Sequence, residues 1–204
     1  YDLKTIMTTT KKKTTTKRST TSKPKATTKI PDLPPNPFVY EVLELASKQR
    51  SAAKKVEVLK KYEHDSLKSI FIFNFDETVI SLLPEGEVPY GDAEDQSVFS
   101  GTLSENIAAE ARGGESATGQ DMDGRGKTSL RREWQNLYHF VKGGNDSLNN
   151  IRREMMFINL LRGLHPLEAE VLILIKDGAL ESKYKITLQN VKDAYPDIQW
   201  GGRS

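Results

Sequence analysis

Four arginines occur in two similar segments, and their side chains could contact phosphate groups or an acidic protein surface. The segments LRREW (130–134) and IRREM (151–155) are 21 residues apart, each at the predicted start of a helix. Guanidinium groups bind phosphate and carboxylate in bidentate geometry. Pairing with glutamates of the same chain, or simple solvation, is the alternative interpretation. The candidate contacts with a polyanion or a partner are Arg131, Arg132, Arg152 and Arg153.

The segment IFIFNFDETVI (70–80) resembles the first motif of haloacid-dehalogenase-type phosphohydrolases, in which an apolar strand precedes Asp-x-Asp-x-Thr. The resemblance implies that the first Asp attacks phosphorus, but the aligned positions here are Asn74, Asp76 and Thr78. A neutral amide forms no acyl-phosphate, and no repeated βα pattern provides a parallel sheet. The alternative is an aromatic-rich core element with Asp76 as a helix cap. We therefore predict no catalytic residue and keep a phosphohydrolase as a remote alternative.

Other residues that could bind ligands lack the spacing that binding requires. A phosphate-binding loop requires a Gly five positions before its Gly-Lys pair. GRGKTS (124–129) lacks this Gly, because the residue five positions before Gly126 is Asp121. The histidines are His64, His139 and His165, and none has a metal-ligand spacing, so we expect capping or packing roles. The chain has no cysteine, which excludes disulfides and cysteine-based metal sites. We expect neither a metal ion nor another cofactor.

The net charge of +2 conceals three unlike parts of the 204-residue chain. Residues 1–29 carry nine basic residues and one acidic residue, whereas residues 84–123 carry one basic and ten acidic residues. The rest has 20 basic and 17 acidic residues, which is ordinary for a folded domain. The two charged segments therefore need separate interpretation.

The N-terminal segment is rich in Thr and Lys and has too few apolar residues to form a core, so we expect it to be disordered. Its positive charges would bind polyanions in a salt-dependent manner. A solubilising tail, or pairing with the acidic segment of the same chain, are the alternatives. The candidate contacts in this tail are Lys11, Lys12, Lys13, Lys17, Arg18, Lys23, Lys25 and Lys29.

Hydrophobic periodicity predicts helices on both sides of the acidic segment. Asn36 followed by Pro37 is typical of a helix start, and Ser51 can cap a second helix. Residues 67–75 fit a strand or a helix equally well. Leu130, Trp134, Leu137 and Val141 form a helical stripe.

A further helix is predicted to open at Asp146 or Ser147, with its buried stripe formed by Ile151, Met155, Ile158 and Leu161. Pro166 begins a very apolar helix, expected to be the centre of the core, and Thr187 caps a last one. We predict an all-α fold, a compact bundle of about five to seven helices. The tail (1–29) precedes one helical domain (30–204), whose halves 30–91 and 129–204 are separated by a disordered acidic loop (92–128).

Several stretches of the chain resemble an uncharacterised protein family of large contractile-tailed phages, including those of marine cyanobacteria. They are LLPEGEVPYG (82–91), LRREWQNLYHFVKGGN (130–145), REMMFINLLRGLHPLEAEVLILIKDGAL (153–180) and YKITLQNVKDAYPDIQWG (184–201). The resemblance covers roughly residues 38–91 and 129–204. It implies an α-helical protein and a phage origin, and it supplies no catalytic residue.

These observations favour a non-enzymatic phage accessory protein that acts through contacts with an unidentified phage or host protein. A nucleic-acid-associated protein anchored by the basic tail is one alternative, and a minor virion structural protein is another. The longest apolar runs are too short to span a bilayer, so we expect no membrane contact. The expected location is the cytoplasm of the infected bacterial host, with the virion as the alternative. Residue patterns do not define an oligomeric state.

Overall fold

The computed structural model describes residues 29–88 and 128–203, and every structural statement below concerns these two ranges. They contain eight α-helices and one 3-10 helix, with no strand, so the all-α prediction is confirmed. The helices are α1 (Val39–Lys48), α2 (Ala52–Lys61), α3 (Asp65–Phe75), α4 (Leu130–Glu133), the 3-10 helix (Trp134–Phe140), α5 (Asn150–Gly163), α6 (Pro166–Lys176), α7 (Leu180–Lys183) and α8 (Leu188–Ala194). The predicted disordered tail and acidic loop lie almost wholly outside the described residues. The helix count exceeds the predicted number because α4 and α7 are single turns of four residues.

Helix starts follow the predicted caps at three positions. The Ser51 side chain accepts a hydrogen bond from the Lys54 backbone N–H, 3.2 Å away. Thr187 and Asn190 form a reciprocal capping box at the start of α8. Pro166 occupies the first turn of α6. Short polar side chains and proline therefore set these boundaries through local geometry.

The predicted cap at Asn36 is wrong. Asn36 has a φ of 54°, in the left-handed region, and α1 begins three residues later. The N-cap of α1 is Phe38, whose side chain has no hydrogen-bonding atom. The first turn of α1 therefore needs an acceptor from elsewhere in the molecule.

Residues 67–75, which fit either a strand or a helix, lie in helix α3 (Asp65–Phe75). The only strand-like pairing in the described ranges is a single antiparallel bridge between Ser81 and Val141. Its backbone bonds join Leu82 N–H to the Phe140 carbonyl at 2.9 Å and Lys142 N–H to the Ile80 carbonyl at 2.8 Å. This bridge ties the turn after α3 to the end of the 3-10 helix.

The predicted stripe through residues 130–141 is only partly α-helical. The α-helical turn α4 passes into a 3-10 helix at Trp134, with Leu130 and Leu137 buried and Trp134 half-buried. A 3-10 helix has three residues per turn, so the buried face rotates away from the 3.6-residue pattern.

Helix α6 lies at the centre of the core, as its apolar sequence predicts. It packs against α1, α3 and α5, while α2 packs against α1 and α8. Residues from Pro31 onward belong to one compact unit. No helix in the described ranges has the length and apolar character needed to cross a membrane.

Candidate functional site

The two faces of α5 differ from the sequence prediction. The buried residues of this helix are Arg153, Phe157 and Leu161. Ile151 and Met155, which the stripe placed inward, are 73% and 57% exposed. That prediction is wrong for these two residues, because the helix is rotated to bring an arginine inside.

The buried Arg153 explains the orientation of α5. Its guanidinium nitrogens donate hydrogen bonds to the carbonyls of His139, Asn145 and Leu148 at 2.8–3.2 Å, and to Asn150 Oδ1 at 2.8 Å. These carbonyls belong to the end of the 3-10 helix and the turn after it, so the cation fixes that turn against α5. Carbonyl acceptors compensate the desolvation of the guanidinium.

A groove of about 130 Å³ runs beside the exposed face of α5. One wall is the loop at residues 83–88, and the other is α5 with the end of α6. The apolar residues that line it are Leu83, Pro84, Val88, Phe157 and Ile158. Phe157 is itself held by an edge-on contact with Phe140, with ring centroids 5.2 Å apart.

The wall at residues 83–88 is held by a second buried cation, Lys176. Its Nζ donates to the carbonyls of Pro84 at 2.8 Å and Gly86 at 3.1 Å, and pairs with Asp177 at 2.6 Å. Gly86 lies at a φ of 88°, which favours glycine, and its N–H donates to Asp177 Oδ2. Hydrogen bonds from Lys176 thus hold the loop at residues 83–88, and those from Arg153 hold α5, so the backbone is fixed on both sides of the groove.

The rim of the groove is acidic. Glu87 and Glu154 line it, and within the described ranges neither carboxylate forms a salt bridge. The charge of Lys176 is compensated by Asp177. The groove therefore combines apolar walls and two carboxylates with one cation from the described residues, Lys176, whose charge is offset by Asp177.

The four arginines of the repeated segments do not form one cluster. Arg132 and Arg152 are exposed, Arg131 is half-buried with a 3.5 Å contact to Asn36 Oδ1, and Arg153 is buried. Arg153 is engaged by backbone carbonyls, so its prediction as a polyanion contact is replaced by a structural role. The predicted tail contacts from Lys11 to Lys25 lie outside the described residues, and Lys29 is exposed.

The phosphohydrolase-like segment is helical up to Phe75, so the strand that the motif requires is replaced by α3. Asp76 Oδ1 accepts hydrogen bonds from the Thr78 N–H and hydroxyl, and Oδ2 accepts from Gly201 N–H and the Arg203 guanidinium, all at 2.7–3.0 Å. Asn74 Oδ1 accepts from the Leu180 N–H. Asn74 and Asp76 thus connect the end of α3 to C-terminal segments of the chain. The alternative interpretation predicted Asp76 as a helix cap, but Asp76 caps a turn, and no helix follows it in residues 77–88.

Two of the histidines cap helices, as expected from their spacing. Nδ1 of His64 accepts from the Ser66 N–H, and Nδ1 of His165 accepts from the Leu167 N–H, both at 3.1 Å. Burial lowers the pKa of both imidazoles. His139 contacts the Asn145 amide at 2.9 Å. In the described ranges no group of three metal-ligating side chains occurs, and most of GRGKTS lies outside them.

Sequence reasoning missed Glu168, a fully buried carboxylate in the first turn of α6. Its Oε2 accepts from the Tyr40 N–H at 3.3 Å, and its Oε1 accepts from the Leu130 N–H at 3.4 Å. It therefore supplies the acceptor that the first turns of α1 and α4 lack. Burial raises the pKa of Glu168 to about 8, although its backbone donors act in the opposite direction.

Comparison with known proteins gives one family. The model of a family of unknown function (DUF6433) matches residues 42–117 and 117–182 of the chain. No curated protein matches, and no solved structure does. The matched range includes α5 and both walls of the groove.

Proposed function

The chain belongs to the family of unknown function DUF6433, and from this premise we propose that it is a non-enzymatic accessory protein acting through protein–protein contacts. The observation that carries the proposal is the exposed apolar face of α5. We further propose a phage origin and action in the cytoplasm of an infected bacterium. The resemblance of residues 82–91 and 153–180 to phage proteins supports that origin.

The exposed face of α5 is unusual for a helix of a monomeric domain. Within the described ranges there are five large exposed apolar side chains, and Ile151, Met155 and Met156 of α5 are three of them. Single exposed apolar residues are common, but a contiguous group is typical of an interaction surface. Methionine adapts its shape to a partner at little cost, which suits a surface that binds another protein.

The engagement of Asp76 supports the non-enzymatic part of the proposal. Both carboxylate oxygens are occupied by donors from Thr78, Gly201 and Arg203. A carboxylate that attacks or transfers a proton needs access to its substrate.

Affinity purification from infected cells tests the proposed function. The tagged wild-type chain is compared with Ile151→Asp/Met155→Asp, which places two charges on the exposed face. Ile80→Asp is the matched control, because Ile80 is 44% exposed but lies outside α5. We expect a protein partner with the wild type and the control and its loss with the double variant. Recovery of no reproducible partner, or equal recovery with all three, would contradict the proposal. Recovery of the partner complex in purified particles would place the contact in the virion.

Association with nucleic acid is a second candidate, favoured by the sequence of the tail. Residues 8–29 carry eight basic residues and no acidic residue. Such a segment binds nucleic acid without sequence preference, and its affinity falls steeply with salt. A gel-shift titration against salt, with and without residues 1–29, tests this candidate. An unchanged affinity and salt dependence after the deletion would eliminate the tail as an anchor.

A further inference from the structure

We propose that the groove between α5 and residues 83–88 binds a basic amphipathic helix of the partner protein. An apolar side chain of that helix would enter the groove, and its cationic side chains would pair with the rim. This inference rests on the proposed function and names the chemistry of the partner.

The apolar surface extends from the groove along the helix. Ile151, Met155 and Ile158 follow one another at intervals of four and three residues, so they lie on one face of α5. Ile158 lines the groove, whereas Ile151 and Met155 are exposed beyond it. Together they form a strip about two turns long, continuous with a concave pocket. Amphipathic helices bind to grooves of this kind through apolar side chains at the same intervals.

The carboxylates at the groove determine the sign of the charge that a partner should carry there, and Arg162, four residues after Ile158, places one cation at the far end of the same face. Glu154 lies on the same face as Ile151 and Ile158, three residues after one and four before the other. Glu87 lies on the opposite wall of the groove. Opposite charge on the partner would favour its binding and its orientation. A partner helix with lysine or arginine beside its apolar residues therefore complements both walls.

The two charged segments of the chain itself fit the groove less well. Residues 89–127, which follow the wall directly, carry eight acidic and three basic residues, so their charge has the same sign as the rim. The tail (1–29) has the right sign, but its large apolar side chains lie within residues 1–7, whereas all but one of its basic residues lie from Lys11 onward, so the two are not combined along one helical face. A separate protein that combines positive charge with apolar residues is thus the occupant that the groove favours.

Fluorescence anisotropy with the full chain tests this inference. The probe is a labelled helical peptide with leucine at every third or fourth position and lysine elsewhere, and its control has glutamate in place of lysine. We expect the lysine peptide alone to bind. Glu87→Lys/Glu154→Lys should weaken that binding by about tenfold and permit binding of the glutamate peptide. Glu57→Lys/Glu181→Lys is the matched control, because both residues are exposed and neither lines the groove.

Several outcomes would overturn the inference. They are no binding of the lysine peptide, equal binding of both peptides, or equal loss with the control variant. Competition by an excess of a peptide spanning residues 1–28 would assign the groove to the chain's own tail. Met155→Asp provides a second variant that changes only an exposed side chain, and it should also weaken binding. If purification recovers a partner that depends on α5 while the lysine peptide fails to bind, the proposed function stands and the basic helix is wrong.

Discussion

Two buried carboxylates of this protein, Asp76 and Glu168, differ in what compensates their charge. Asp76 accepts hydrogen bonds from Thr78 and Gly201 and pairs with Arg203 at 2.8 Å. Burial acts to raise its pKa, but the hydrogen bonds and the nearby guanidinium outweigh that effect and hold the pKa below 3.8. Glu168 has only backbone donors and no cation, and burial raises its pKa to about 8. The shifts are opposite because Glu168 is the more deeply buried of the two, whereas Asp76 accepts hydrogen bonds from Thr78 and Gly201 that favour its ionised form, with Arg203 making a smaller contribution.

The position of each carboxylate explains this difference. Asp76 lies after α3, where the C-terminal segment passes close enough for Arg203 to reach it. Glu168 lies where the first turns of α1, α4 and α6 meet, and the side chains of Phe38 and Ser129 cap neither α1 nor α4. The backbone N–H groups of the helix N-termini favour the ionised form at this place, but they do not offset the effect of burial on the pKa of Glu168. Glu168 thus joins the two parts of the chain that precede and follow the acidic segment.

The largest expected effect is a loss of stability with rising pH that depends on Glu168. A carboxyl group whose pKa is raised by folding stabilises the folded state most below its unfolded value, and that contribution is lost as pH rises through the folded value. The window therefore runs from 4.5 to about 8. Within it the free energy of unfolding should fall by up to about 1.4 kcal/mol per pH unit. Denaturant unfolding at a series of pH values measures this slope.

Glu168→Gln is the variant that isolates this effect. Its amide has one acceptor oxygen, so one of the helix starts at Tyr40 and Leu130 should lose its partner, at a cost of about 1 kcal/mol at acid pH. It does not ionise, so the decline between pH 4.5 and about 8 should be absent. An equal slope in the wild type and the variant would show that the backbone donors to Glu168 offset its burial, as the donors to Asp76 do for that carboxylate.

The comparison extends to a buried cation, Arg153. Its charge is offset by hydrogen bonds to carbonyl oxygens and, in the described ranges, not by a carboxylate. Arg153→Met keeps much of the apolar stem but leaves the carbonyls of His139, Asn145 and Leu148 without their donor. We expect a loss of about 3 kcal/mol in the free energy of unfolding. Arg152→Met is the matched control, because Arg152 is exposed and its loss should change stability by about 0.5 kcal/mol or less. Similar losses in both variants would contradict the structural role of Arg153.

The sequence predicted several features that depend on local geometry, although the cap at Asn36 was wrong and α5 begins after Asn149, not at Asp146 or Ser147. Ser51, Thr187 and Pro166 begin helices because their capping and backbone preferences act within one turn. The apolar sequence of α6 likewise predicts its central position. These features do not require knowledge of which helices meet.

The features that depend on tertiary contacts were not predictable in this way. Hydrophobic periodicity does not show that Arg153 will donate hydrogen bonds to three backbone carbonyls. The predicted orientation of α5 was therefore wrong for Ile151 and Met155. Glu168 looks like an ordinary first-turn acid until α1 and α4 are placed beside it. The groove depends on Lys176 reaching a loop about 90 residues earlier in the chain.

Removing the Asp76 carboxylate should lower the free energy of unfolding by less than removing the Arg153 guanidinium. Asp76→Ala leaves Thr78 N–H and Gly201 N–H without their acceptor, and we expect a loss of about 2 kcal/mol. Because its pKa is lowered by folding, Asp76 stabilises the protein above pH 3.8 and this contribution is lost as pH falls below that value. The variant and the wild type should therefore converge in stability at strongly acid pH. Asp193→Ala, which removes an exposed carboxylate paired with Gln189, is the control and should cost about 0.5 kcal/mol or less.

The smallest effect expected is that of Arg203→Ala. The Arg203 side chain is 33% exposed, so water replaces part of its interaction with Asp76, and we expect a loss of about 1 kcal/mol. The other donors to Asp76 remain, since they come from Thr78 and the Gly201 backbone. A double-mutant cycle of Arg203→Ala with Asp76→Ala measures the coupling of the pair directly, and Lys192→Ala controls for the loss of an exposed cation. If the coupling is zero, the low pKa of Asp76 must come from its hydrogen bonds alone, and the contrast with Glu168 would then reflect the short hydroxyl and amide donors around Asp76 and not its cation.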